Sequence, residues 1–464
     1  AAGHYPAPED ADRKGCGWPV ALEVKAGAGW RTGYYDIVLT DAAGEQTHHF
    51  VCIKPAKGTT GSKAVLVLAT NTYHSYNWWG GANAYSNVTG LMTGTVPFDQ
   101  AMDQAIGVSS TQRPFTQMII AAPEDAPRLI NMRARGFKEK PWTADPVWMR
   151  KHRISPYDGS AGFLNKWEHA FATWTEEQGY VFDYVTDYDL DTDPDLLSAY
   201  TSAFFVGHSE YWSGNERAQV ERFVDAGGFA AILSGNTCFW KVRWEDDGKT
   251  YVCHKWKGFE AEDVPAEQAT HLWSHRAFKA PEAEITGLSF NFGGYHRLGM
   301  CVSRGSAGFT IYNDKHWSLE GTDLFYGDIL GGEVPLIGYE SDGCLFEFGT
   351  DGLPKALTTG GVPENLEIIG IAPVTLGEDP TSGYAPMIPP EKLDVIAGEI
   401  YGDPSPAMQQ RLLRGHAMLA SFKRGKGEVF NTGTTEWAHG LAAKDPFVEV
   451  ITHNVMKRFG VTKA

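Results

Sequence analysis

The chain has no surplus of positive charge. Its 40 Lys and Arg stand against 57 Asp and Glu, a formal net charge of −17. That deficit argues against a nucleic-acid groove and against a docking face for anionic membranes. Long apolar runs are missing too. The longest, such as residues 63–69, have the length of a strand, whereas a membrane-spanning helix needs about 20 apolar residues. The sequence opens Ala1-Ala-Gly-His, without a basic segment followed by an apolar one, so no signal peptide is expected in it. A cytoplasmic protein is expected, with export of a processed form left open. None of the six cysteines belongs to a C-x-x-C pair, which argues against a zinc ribbon. They read as reduced thiols, with a disulfide between Cys16 and Cys52 as the alternative in an exported protein. The acidic run 187–195 lacks the glycine turn and closing glutamate of a calcium loop and reads as a solvated loop.

What the chain has is length, aromatics and apolar strands. Its 464 residues allow a large core and more than one domain. Fifteen tryptophans suit an aromatic-lined cleft for a small molecule or a carbohydrate. Residues 1–58 look β-rich, with strand-like stretches at 22–24, 33–39 and 48–53, and read as a small sandwich-like module. From 59 the grammar changes. Residues 64–69 form a continuous apolar run, as expected of a strand buried on both faces, and 203–207, 229–233 and 427–431 read as further strands of the same sheet. Helical patterns at 165–179, 216–226 and 446–459 alternate with them, which indicates a doubly wound parallel sheet. Residues 239–410 lose this rhythm and read as a β-rich insertion.

Four of these strands end in a sudden polar and aromatic burst. The first runs Asn71-Thr-Tyr73-His-Ser-Tyr76-Asn77-Trp78-Trp79 and the second His208-Ser-Glu210-Tyr211-Trp212. The third is Ser234-Gly-Asn236-Thr-Cys238-Phe-Trp240, and the fourth contains Glu436, Trp437 and His439. Open α/β sheets bind ligands at the carboxyl ends of their strands. Ser213-Gly-Asn-Glu216 reads as a capping box opening the next helix. His208 can shuttle a proton near neutrality. Asn236 can donate to a developing oxyanion. Glu436 and His439 are further catalytic candidates. Glu168 reads as solvated, and Glu340 as a weaker candidate.

These segments resemble the carboxy-terminal part of the large (beta) subunit of N,N-dimethylformamidase. The resemblance is carried by Trp30-Arg-Thr-Gly33-Tyr34-Tyr35, Ser75-Tyr-Asn77, Gly207-His-Ser-Glu-Tyr-Trp212, Ser234-Gly-Asn236 and Gly433-Thr-Thr-Glu-Trp-Ala-His439-Gly440. It implies a class I glutamine-amidotransferase-like sheet without that fold's cysteine nucleophile. It also implies hydrolysis of a small tertiary amide at a mononuclear ferric ion held by two tyrosinates and a glutamate. Carried over residue by residue, Glu210 is the iron-binding glutamate, His208 the flanking histidine and Asn236 the assisting asparagine. Tyr76 is the first match for one tyrosine ligand, with Tyr73 the second choice. Val108 stands where the other tyrosine is expected. Another residue (His208, Tyr73 or Tyr85) then completes the site, a different divalent metal binds, or none does. Phenolate and carboxylate are hard donors suited to a highly charged metal. The resemblance also leaves room for a small partner subunit or a homo-oligomer. The alternative is a metal-free protein that binds a carbohydrate or other ligand on the same fold.

Overall fold

The structure is a computed structural model that describes residues 6–27, 29–85, 105–116, 119–121, 161–164, 167–296, 308–376 and 390–464. Five parallel strands form its centre. Ala64–Leu68 lies between Asp183–Thr186 and Ser202–Gly207, followed by Phe229–Ser234 and Gly427–Asn431. Numbered along the chain, these five strands run in the spatial order 2-1-3-4-5, one of the common doubly wound orders. The order reverses between the first strand, Ala64–Leu68, and the third, Ser202–Gly207. A crevice at the carboxyl ends of those two strands is where such sheets bind ligands.

Both faces of the sheet are covered, which is why its strands read as unbroken apolar runs. Leu66, Phe204, Leu233 and Phe430 face one way and pack with Phe171 and Trp174 of the helix Trp167–Glu177 and with Ile451 and Val455 of Pro446–Arg458. Val65, Phe205, Ile232 and Val429 face the other way, against Val220, Phe223 and Val224 of Gly214–Ala226. Phe204 and Phe205, adjacent and fully buried on opposite faces, each stabilise the fold by about 2–3 kcal/mol. The expected capping box is present. Ser213 Oγ accepts from Glu216 N at 3.1 Å, and Glu216 Oε2 accepts from Ser213 N at 3.1 Å.

Arg414–Arg424 and strands from the 239–410 region extend this same sheet. Arg414–Arg424 pairs antiparallel with Gly427–Asn431, then Glu367–Thr375, Phe309–Ile311 and Ile329–Leu330 follow outward. Tyr339–Gly343 pairs with Ser289–His296 beside them. A second sheet of Val108–Ser110, Thr250–Val252, Trp240–Glu245 and Tyr211–Ser213 lies beyond the strand ends. In the amino-terminal region Gly33–Thr40 and Gln46–Ile53 make an antiparallel hairpin. The hairpin rests on the α/β core through Tyr34, stacked on Phe163 at 4.2 Å, and Thr32, whose Oγ1 accepts from Tyr184 N at 2.8 Å.

Several expectations are corrected. Residues 22–24 are exposed and form no strand. The run 187–195 is not a solvated loop. It contains the helix Asp187–Thr192, capped by Thr186, and Asp187 is buried. Glu168 is buried as well, because Ala69 N and the Tyr73 hydroxyl both donate to it. The expected helix start at 165 lies outside the described residues. Cys16, Cys52, Cys238, Cys253 and Cys344 carry free thiols, and Cys301 also lies outside. No helix among the described residues is long and apolar enough to cross a membrane.

Candidate metal centre

The strand Ser202–Gly207 ends at a residue that must be glycine. Gly207 has φ +78°, and a Cβ there would sit 2.4 Å from Cβ of Trp167. The chain turns at this point and delivers His208 and Glu210, both buried, into the crevice. The first strand contributes the helix Thr70–Tyr76, whose last residue, Tyr76, reaches the same spot. The fourth strand contributes Asn236 in a left-handed conformation, φ +53°. The strand Tyr339–Gly343 brings Tyr339 and Glu340 from the insertion.

His208 is the hub. Its Nδ1 hydrogen bonds the Gly235 carbonyl at 3.1 Å, which orients the ring and turns Nε2 inward. Nε2 lies 3.0 Å from Glu210 Oε2 and 3.1 Å from Glu340 Oε2. Tyr76 Oη donates to Glu210 Oε2 at 3.1 Å and lies 3.3 Å from both His208 Nε2 and Tyr339 Oη. Tyr85 Oη lies 2.8 Å from Tyr76 Oη and 3.1 Å from each Glu210 oxygen. Asn236 Nδ2 donates to Glu340 Oε2 at 3.2 Å. Asp342 holds that turn, accepting from Asn236 N at 2.8 Å and Thr237 N at 3.2 Å. The walls are aromatic. Tyr339 and Trp167 have ring centroids 5.5 and 6.0 Å from that of His208. Lys255, also buried, sits 3.1 Å above the Tyr85 ring.

Burial sets the charges. Alone it would lower His208, but Glu340 and Glu210 outweigh it and push the imidazole up to about 9. It would likewise raise Glu210, yet His208, Lys255 and Tyr85 hold that carboxyl below its usual range. Glu340 is pushed up to about 8 by burial. Burial also lowers Lys255 to about 8 and raises Tyr76, Tyr85 and Tyr211 well above the ordinary phenol value. At neutral pH the centre therefore holds a Glu210 carboxylate, a His208 imidazolium and a protonated Glu340.

His208, Glu210 and Glu340 each offer a ligand atom, and these atoms lie within 4.8 Å of one another. This buried group can hold a metal ion. Two carboxyls and two phenol hydroxyls around one imidazole form a set rich in hard oxygen donors, and the set fits a hard cation. Protons on His208 and Glu340 supply the neutralising charge in the arrangement described.

A model of the N,N-dimethylformamidase beta subunit-like, C-terminal family matches residues 2–450. The chain belongs to this family. No curated protein sequence matches it significantly. The dimethylformamidase-like candidates named from the sequence are distributed as follows. Tyr76, His208, Glu210 and Asn236 meet in one cluster. The Tyr73 hydroxyl goes instead to Glu168. Glu436 precedes the helix Trp437–Ala442 without capping it, and its Oε1 accepts from Tyr339 N at 3.2 Å, so it braces the strand carrying Glu340. His439 is half-buried on that helix. Val108 is paired in the second sheet opposite Val252. Lys255 and Tyr339 were not anticipated, and Glu340 was underweighted. No local pattern marks these three, because they come from turns and short strands of an irregular region.

Proposed function

We propose that the chain is a metal-dependent hydrolase of a small amide, with iron as the expected metal and a glutamine-amidotransferase-like sheet as its scaffold. The observation that carries this reading is the convergence of Tyr76, Glu210, Glu340 and Asn236 on His208 at the switch point of the sheet, in a chain of the dimethylformamidase beta subunit-like family. Tyr76, Tyr85 and Glu210 would hold the metal, Tyr85 standing in for the tyrosine absent at Val108. A bound metal supplies Lewis acidity, polarising the amide carbonyl and acidifying water.

The rest is done by side chains. Glu340, protonated at neutral pH, is matched to give its proton to the departing amine and to recover one from the attacking water. Asn236 Nδ2 fixes the carboxyl that moves this proton. His208 Nε2 balances the charge on Glu210. Trp167 and Tyr339 shield the centre from water, which strengthens these electrostatic terms. The strand end Val206-Gly-His208 offers no thiol, so a cysteine acyl-enzyme has no nucleophile there.

One observation favours the metal-free binding alternative. His208 and Lys255 place two cationic groups at the centre, enough to neutralise Glu210 without an ion. Amine release from formamides before and after chelation separates the two readings. The hydrolase reading expects turnover that is lost on metal removal and restored by iron. Turnover that survives complete metal removal contradicts it.

A further inference from the structure

The loop 77–84 joins two phenols of the centre and has little structure of its own. It leaves the helix Thr70–Tyr76, ends just before Tyr85, and forms neither helix nor strand. Yet the hydroxyls of Tyr76 and Tyr85, on either side of it, lie 2.8 Å apart. Asn83 links its ends, donating from Nδ2 to the Tyr76 carbonyl at 3.2 Å and accepting at Oδ1 from Tyr85 N at 2.9 Å. Its middle is held by Arg113, which is buried. Arg113 Nε donates to the Ser110 carbonyl at 3.0 Å. Its Nη1 donates to the Ala82 carbonyl at 3.1 Å and to the Trp79 carbonyl. One guanidinium thus ties two points of the loop to the strand Val108–Ser110. The residues after Arg113 repeat the tie. Asn77 Nδ2 donates to the Pro114 carbonyl at 2.9 Å, and Asn77 Oδ1 accepts from Thr116 N at 3.2 Å.

A buried guanidinium is a costly filling for this space. No carboxylate pairs with Arg113 among the described residues, and burial lowers it to about 10 against the pull of Asp12 and Cys16. Packing alone would be served as well by an apolar side chain of similar volume, without the loss of hydration. What the guanidinium adds is geometry, a planar fork that fixes several carbonyls relative to one another. Arg113 hydrogen bonds to none of the converging side chains among the described residues, so any effect on a metal must pass through the loop. We infer that Arg113 is a positioning residue of the centre, setting where the loop 77–84 delivers the Tyr85 hydroxyl against that of Tyr76. This rests on the reading of Tyr76 and Tyr85 as metal ligands and names the residue that sets their spacing.

The test is a double-mutant cycle on iron affinity, read by competition titration in the full chain. Arg113→Met should weaken iron binding about tenfold or more. In a Tyr85→Phe background the same change should cost less than about twofold, because the loop then has no ligand to place. Equal losses in the two backgrounds would show that Arg113 acts on the fold at large and overturn the inference. Unchanged affinity in Arg113→Met overturns it too, while leaving the metal-dependent reading intact. Amide hydrogen exchange of the metal-free chain reads the same tie without iron. Arg113→Met should speed exchange in 77–85 about tenfold or more and leave the strand Ala64–Leu68 unchanged. If the wild type takes up no iron, the metal-dependent reading falls and this second measurement decides. Faster exchange confined to the loop then supports Arg113 as the residue that places Tyr85, and exchange that is unchanged, or faster everywhere, overturns it. Should Arg113→Met fail to fold, Arg113→Lys takes its place, since an ammonium keeps the charge and lacks the planar fork. A chain that folds with neither residue makes Arg113 a support of the whole fold and overturns the inference.

Discussion

Two fully buried pairs of acidic side chains flank the helix Thr70–Tyr76, and they are built for different ends. At its carboxyl end Glu210 and Glu340 meet on an imidazole, with phenol hydroxyls and Lys255 around them. At its amino end Asp187 and Glu216 meet each other. Burial pushes both of their carboxyls well above the usual range, and the neighbouring Asp187 charge raises Glu216 further. Asn71 ties this second pair to the fold. Its N donates to Asp187 Oδ2 at 2.8 Å, and its Nδ2 donates to Glu216 Oε2 at 3.2 Å and to the Tyr211 carbonyl at 2.9 Å. One pair keeps a carboxylate and a cation in contact. The other is pushed towards its protonated form by burial and stitched to backbone. Burial of acidic groups is therefore no sign of a reaction site by itself; a converging cationic group and a hard-donor set are what distinguish the first pair.

Alanine at one glutamate of each pair should break the comparison cleanly. Glu210→Ala should cut metal affinity about a hundredfold or more and abolish amine release, with the metal-free fold retained. Glu216→Ala should leave the metal content unchanged. It removes half a capping box and the bond to Asn71, and should lower stability by about 2–3 kcal/mol in urea denaturation. Metal loss in both variants would erase the distinction.

The helix between the pairs offers a finer contrast. Tyr76→Phe should weaken metal binding about 10- to 100-fold in a competition titration. Tyr73→Phe removes only the bond to Glu168 and should show as about 1 kcal/mol of stability, with metal affinity unchanged. The reverse result would move the ligand to Tyr73.

A pH-dependent effect concerns Glu168. Burial pushes its carboxyl up to about 7 from 4.5. A raised folded-state value means that the native state keeps a proton the unfolded chain has lost. The stability it contributes is fully present below about pH 4.5 and is lost as pH rises through 7. Glu168→Gln should flatten the fall in stability between those values by up to about 1.4 kcal/mol per pH unit. An unchanged slope would show that Glu168 is ionised in the fold.

Much of the scaffold was legible in the sequence. Unbroken apolar runs such as 64–68 and 203–206 read as strands covered on both faces, and both appear as such. Ser213 and Glu216 announced their helix through capping chemistry. Half of the cluster was legible too, because His208, Glu210 and Asn236 stand directly at strand ends. Glu340 and Lys255 were not, since only tertiary pairing of the insertion brings them in. Glu168 and Asp187 misled because acidic residues on helices usually face water. Here backbone amides and the Tyr73 hydroxyl replace that water.

The most direct test of the central claim is metal analysis of the purified chain, read together with its visible absorption. The metal-dependent account predicts about one iron per chain and a phenolate-to-metal charge-transfer band. A chain that carries no metal, and takes none up on reconstitution, would contradict it and leave the binding-protein reading in its place.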